Sequence, residues 1–90
     1  MPLTAKSRQQ LKAKAHNLKP TVLLGNQGLT AAVKKEIDRA LTDHELIKIR
    51  VPVEDREEKV AIIAEICDAL HADLVQTIGK IAVLYRRSTK

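Results

Sequence analysis

Thr21-Val22-Leu23-Leu24-Gly25-Asn26-Gln27-Gly28 is the stretch on which the fold turns. Thr21 to Leu24 form a short apolar run of the kind that makes a buried strand. It stops at Gly25 and Gly28, which lack a Cβ and so allow a sharp turn and the close approach of another chain. The period then changes. Leu29, Val33, Ile37, Ala40 and Leu41 share one face of a helix over 29–43, while Lys34, Lys35, Asp38 and Arg39 fall off it. Strand, Gly-x-x-G loop and helix form one unit, and the loop leads into a helix start, where unsatisfied N–H groups and the dipole attract a phosphate.

Upstream, Thr4 is suited to cap a helix running to about residue 17. Leu11, Ala15 and Leu18 follow helical spacing there, and Pro20 lies just past the end. Arg8, Gln9 and Lys12 lie off that stripe, so much of this helix is expected to be outward-facing and basic. Downstream, Ile47, Ile49, Val51 and Val53 alternate with Lys48 and Arg50 over 46–53. This predicts a half-buried strand with a basic solvent side. Pro52 marks that strand as an edge or as ending.

Asp55, Glu57 and Glu58 open a third helix, where the dipole favours acids. It runs to about residue 71. Its apolar surface is expected to be wide: Val60, Ile63, Ala64, Cys67 and Leu70, with Ala61, Ile62 and Ile66 alongside. Glu65 and Asp68 are outward acids expected to lie remote from the loop. Residues 74–78 and 81–86 read as strands joined by Gly79-Lys80, with Gly first in a type II′ turn. His44 and His71 are expected to close the second and third helices.

The order is α-β-α-β-α-β-β. It predicts an α/β fold in one small domain over residues 1–90: a mixed four-stranded sheet with packed helices. Strand–helix–strand units favour parallel crossovers, and the last hairpin adds an antiparallel pair.

Charge says more by its distribution than by its total of +5. The first 35 residues hold Lys6, Arg8, Lys12, Lys14, Lys19, Lys34 and Lys35 and no Asp or Glu, a local charge of +7. The remainder sets nine basic against eleven acidic residues, a local charge of −2. Such one-sidedness points to a polyanionic partner. No run approaches the ~20 apolar residues of a membrane span, and residues 1–6 lack an apolar signal-peptide core. Cys67 has no disulfide partner and is expected to be a buried, reduced thiol. A cytoplasmic protein is expected, without membrane or small-molecule partner.

Several chemistries do not fit. A P-loop would need a longer loop ending in Gly-Lys-Ser/Thr, and a dinucleotide fingerprint needs a third Gly. In a KH domain the Gly-x-x-G joins two helices, whereas here a strand precedes it. An RNA-recognition motif needs stacking aromatics, and Tyr85 is the only aromatic residue. His16, His44, His71 and Cys67 lack metal-ligand spacing. Glu57 and Glu58 read as helix-start chemistry, not as an acid–base pair. Neither catalysis nor a cofactor is expected.

Four separated motifs carry a resemblance across nearly the whole chain. They are Ala15-His16-Asn17-Leu18-Lys19-Pro20, Leu24-Gly25-Asn26-Gln27-Gly28-Leu29-Thr30, His44-Glu45-Leu46-Ile47-Lys48, and Gln76-Thr77-Ile78-Gly79-Lys80 followed by Val83-Leu84-Tyr85-Arg86. Together they resemble the CRM domain of the bacterial YhbY type. The resemblance implies an RNA-binding α/β fold similar to the C-terminal domain of the third bacterial translation initiation factor. It also implies association with precursors of the large ribosomal subunit, as for stand-alone bacterial members; plant relatives assist organellar intron splicing. The family's Gly-x-x-G maps onto Gly25 and Gly28. Many members carry a basic residue inside that loop, where this chain has neutral Asn26 and Gln27, so weight shifts to backbone N–H groups and Lys34 and Lys35.

The expected RNA-contacting set is Gly25, Asn26, Gln27, Gly28, Lys34 and Lys35, with Lys6, Arg8, Lys12, Lys19, Lys48 and Arg50 around it. The expected partner is large-subunit ribosomal RNA or its precursor particle, held by its backbone. A protein adaptor using the basic face on an acidic partner is the alternative, and a nucleic-acid-modifying enzyme a more distant one.

Overall fold

The computed structural model describes residues 4–25 and 28–87. Three helices and four strands follow in the expected order: α1 (Ala5–Ala15), β1 (Pro20–Leu23), α2 (Ala31–His44), β2 (Leu46–Arg50), α3 (Arg56–Leu70), β3 (Asp73–Ile78) and β4 (Ile81–Tyr85). The strand order in the sheet is β1-β2-β4-β3. β1 runs parallel to β2, and β4 is antiparallel to both β2 and β3. The first three strands therefore share one direction, and the last is inserted between the second and third.

Local chemistry sets the boundaries. Thr4 caps α1, its hydroxyl accepting from the Ser7 N–H at 3.0 Å. The Thr30 hydroxyl does the same for α2, accepting from the Val33 N–H at 3.2 Å. The Asp55 carboxylate accepts from the Glu57 and Glu58 N–H groups at the start of α3. At the other ends Glu45 and His71 both take positive φ, and His71 adopts the left-handed geometry that commonly stops a helix. Gly79 has positive φ while Lys80 does not, which fits the type II′ turn.

The sheet is covered on both faces. Val22 and Leu24 of the first strand–loop unit, Ile47 and Ile49 of β2, and Ala82 and Leu84 of β4 join Ile37, Leu41, Ile63 and Ile66 in the main core under α2 and α3. Each of the Val, Leu and Ile side chains among them contributes about 1.5–3 kcal/mol when fully buried. On the opposite face Ala15 and Leu11 of α1 pack with Val75, Val83, Leu46 and Tyr85. A bulge between Leu74 and Gln76 turns Val75 toward α1.

Three expectations change. β2 stops at Arg50 and does not reach residue 53, and it is an interior strand, so Pro52 marks an ending and not an edge. Its second face is not wholly solvent, because α1 covers Leu46. Val60 is 57% exposed and Ala64 is exposed as well, so neither belongs to the core; α3 presents Ile62, Ile63, Ile66, Cys67 and Leu70 instead. The sheet ends at β3, and no described strand extends past it over Val60. Cys67 is half-buried, and burial first, then the nearby Asp73 carboxylate, raise its thiol above the ordinary value.

Far from the loop, Arg86 ties three elements together. One guanidinium nitrogen donates to Asp38 Oδ1 at 2.6 Å and to the Leu70 carbonyl at 3.0 Å. The other donates to the Asp38 carbonyl at 2.9 Å and to the Thr42 hydroxyl at 2.8 Å. The end of β4 is thereby fixed to α2 and to the last turn of α3. No helix among the described residues is long and apolar enough to cross a membrane.

Candidate functional site

Three chain segments meet at one end of the sheet, bound by backbone hydrogen bonds. The Leu24 N–H donates to the Arg50 carbonyl at 3.0 Å, which carries β1–β2 pairing up to Gly25. The Val51 N–H donates to the Lys80 carbonyl at 2.7 Å, which fixes the β3–β4 turn beside the end of β2. The Gly-x-x-G loop, Arg50 and the Gly79-Lys80 turn therefore share this end. α3 also starts here, with Lys59 Nζ donating to the Gly79 carbonyl at 2.6 Å.

The loop closes on itself, as the Gly28 N–H donates to the Gly25 carbonyl at 3.0 Å. Gly28 has φ +72°, which favours glycine, and a Cβ there would meet nothing within 4 Å. The bond occupies the Gly28 N–H, so that group is not a spare donor. Asn26 and Gln27 lie outside the described residues. α2 begins immediately after, with no acid in its first turn. The Ala31 and Ala32 N–H groups have no acceptor among the described residues, which leaves the positive end of the helix without a described partner there.

The expected cations separate into two groups. Lys35, Arg50 and the unanticipated Lys80 are exposed at the loop end and have no ion pair among the described residues. Lys48 is half-buried one row further along β2. Lys6, Arg8 and Lys12 are exposed on α1, which covers the sheet away from the loop. Lys19 precedes β1 at the opposite end from Gly25. The α1 cations thus form a patch apart from the loop.

Lys34 departs from expectation. Its Nζ lies 3.9 Å from Glu65 Oε1, and the side chain is only 37% exposed. α2 and α3 lie side by side, so this acid is not remote from the basic end but partly neutralises one of its cations. Sequence reading missed Lys80 because its nearness to the loop depends on β4 entering between β2 and β3. Among the described residues no group of three His, Cys, Asp or Glu could hold a metal.

A second concavity, an apolar groove of about 660 Å³, lies between α3 and the edge strand β3 and includes Val60, Ile63, Cys67 and Leu74.

Fold and site define a small α/β domain with a glycine loop, an open helix start and free cations at one end of a mixed sheet. The chain belongs to the CRS1 / YhbY (CRM) domain family, whose model matches residues 3–86. It is 52% identical over 86 residues to a Haemophilus influenzae protein named "RNA-binding protein", with 96% of this chain and 87% of that one covered. It is 42% identical over 90 residues to "Probable RNA-binding protein PA4753" of Pseudomonas aeruginosa, covering all of this chain and 86% of the relative. The solution structure of SAV1595 from Staphylococcus aureus superposes with a TM-score of 0.85 at 34% identity, over 98% of this chain and 92% of that one.

Proposed function

We propose that the chain is a cytoplasmic, non-catalytic RNA-binding protein that acts on precursors of the large ribosomal subunit. Its whole length forms the binding domain. Family membership and the names of its relatives support RNA as the partner. The observation that carries the mechanism is the meeting, at one end of the sheet, of the Gly25–Gly28 loop, the open start of α2 and the free cations Lys35, Arg50 and Lys80. A phosphodiester crossing the loop meets no Cβ at either glycine. It faces the first N–H groups of α2 and then ammonium and guanidinium groups.

Such contacts place the backbone, so binding falls steeply with salt. Three to five neutralised phosphates give a slope of log K against log salt of about −2 to −4. The ribosomal assignment is tested by a sucrose gradient of cell extract probed for this protein. Co-sedimentation with large-subunit precursors at low salt, sparse occupancy of finished ribosomes and release as salt rises are expected. Equal occupancy of mature and immature particles would remove the assembly role, and absence from every ribosomal fraction would remove the ribosome. The alternative, an adaptor that holds an acidic protein partner on the same basic face, would be supported by partners retained after nuclease treatment.

A further inference from the structure

The sheet's second face is only half covered. α1 packs over Leu46, Val75, Val83 and Tyr85, and the end nearest the loop stays open. Register aligns one residue from every strand across that end. Leu23 pairs with Arg50, Arg50 with Ile81, and Ile81 with Ile78. Leu23 and Ile78 are 61% and 57% exposed, far more than their apolar neighbours in the strands. The next row adds Lys48 and Gln76, each aligned with Val83. With strands about 4.8 Å apart, the row from Leu23 to Ile78 spans about 14 Å of pleated surface.

We infer that this row is a seat for unpaired nucleotides of the RNA strand whose phosphates lie at the Gly25–Gly28 loop. The inference rests on the RNA-binding reading and adds the class of RNA: a bulge or single-stranded stretch, not a continuous duplex. Two observations select this occupant. The seat is continuous with the loop, because Leu23 lies two residues before Gly25 and its row partner Arg50 accepts from the Leu24 N–H. Its charge is also of one sign: Arg50 and Lys48 stand on this face among Leu23, Ile78, Ile81 and Gln76, with no carboxylate among them.

The chemistry of the row suits a base. Every base has a π face, and a guanidinium plane stacks on it without an aromatic side chain. Arg50 makes no side-chain hydrogen bond or ion pair among the described residues, so its plane is uncommitted. Leu23 and Ile78 supply apolar contact on either side of it. Gln76 offers both a donor and an acceptor for a base edge. A regular duplex keeps its bases stacked and paired and presents only its backbone here. Tyr85 takes no part, being half-buried under α1. The scarcity of aromatics therefore does not confine this surface to phosphate.

The test compares two RNAs with the full chain at fixed salt: a fully paired hairpin and the same hairpin carrying a three-nucleotide bulge. The wild type is expected to bind the bulged RNA at least fivefold more tightly. Arg50→Lys keeps the charge and loses the plane. It should reduce the preference to under twofold, with affinity for the bulged RNA falling by a larger factor than affinity for the paired hairpin. Methyl resonances of Leu23, Ile78 and Ile81 should shift under base ring currents with the bulged RNA and stay in place with the paired one. Equal wild-type affinity for the two RNAs would overturn the seat and leave phosphate binding intact, as would a preference that survives Arg50→Lys. Methyl shifts that follow protein concentration without RNA would make the row a contact between copies of the chain. Binding to neither RNA would overturn the seat together with the RNA-binding reading.

Discussion

Substitution at Gly28 separates the loop's conformational role from its electrostatic one. At φ +72° with nothing within 4 Å of a Cβ, Gly28→Ala meets a backbone penalty and no steric one. Left-handed geometry costs a non-glycine residue about 1 kcal/mol at the lower end of its range, which in a domain this small lowers Tm by about 5 °C. Gly28→Asp carries a similar penalty, eased because Asp tolerates that region better, and adds a charge. A carboxylate about 5 Å from a phosphate is repelled by about 0.8–1.7 kcal/mol for effective dielectric constants of about 80 to 40, which centres on a tenfold loss of affinity. Gly25 does not have positive φ, and its Cβ would also stand in open space. Gly25→Ala should therefore leave stability unchanged or slightly raised. Thermal unfolding by circular dichroism and RNA binding by fluorescence anisotropy read the two effects apart. Gly28→Ala should bind within threefold of wild type and Gly28→Asp about tenfold more weakly. A folded Gly28→Asp protein that binds RNA normally would refute the placement of phosphate at the loop. Equal losses in the Ala and Asp variants would refute the charge argument.

Glu65→Gln should free Lys34 from its 3.9 Å partner and strengthen RNA binding by about twofold to threefold in low-salt anisotropy titrations, within the range of a surface pair; weaker binding would count against the pairing. Arg86→Ala removes four hydrogen bonds at the opposite end of the sheet. With Asp38 half exposed the loss should be about 2 kcal/mol, or about 10 °C in Tm, with RNA affinity within twofold of wild type. The raised Cys67 thiol favours the neutral form in the folded state. Its contribution is intact below the unfolded thiol's pKa of about 8.5 and is lost as pH rises through the higher folded value. Urea midpoints should accordingly fall above that pH, and less so in Cys67→Ala.

The elements themselves were legible because each carried a local signal. Apolar period marked α2, alternation marked β2, and Thr4 supplied the cap that α1 uses; Thr30, which the sequence placed inside a helix starting at 29, instead caps α2, and Asp55, read as a first-turn acid, caps α3. The type II′ turn followed from Gly79 alone. What the sequence withheld was which neighbour each face would meet. Val60 and Ala64 look like core positions on α3, yet they stand past the edge where β3 ends the sheet. Lys34 looks like an outward cation until α3 arrives with Glu65 beside it. Lys80 looks like an ordinary turn residue until β4 enters between β2 and β3 and carries it next to Val51. Each miss is a tertiary fact, decided by strand order and by which helix covers which half of which face.

The same strand order explains why the cations differ in kind. Arg86 is held by four acceptors and is 20% exposed in its side chain, so its guanidinium is spent on the fold. Arg50, Lys35 and Lys80 have no such partners among the described residues. An unpaired cation keeps its counterions and its rotamer freedom until a ligand arrives. Contact with phosphate then releases the counterions without first breaking an internal bond. Lys34 must instead exchange Glu65 for phosphate, and its net gain is smaller. In the RNA-binding reading this makes the loop end a surface whose affinity is set by salt and by the geometry of the RNA, with little cost to the fold when it is empty. The proposed assembly role would draw on that property, because stability anchored at Arg86 does not depend on whether the loop end is occupied.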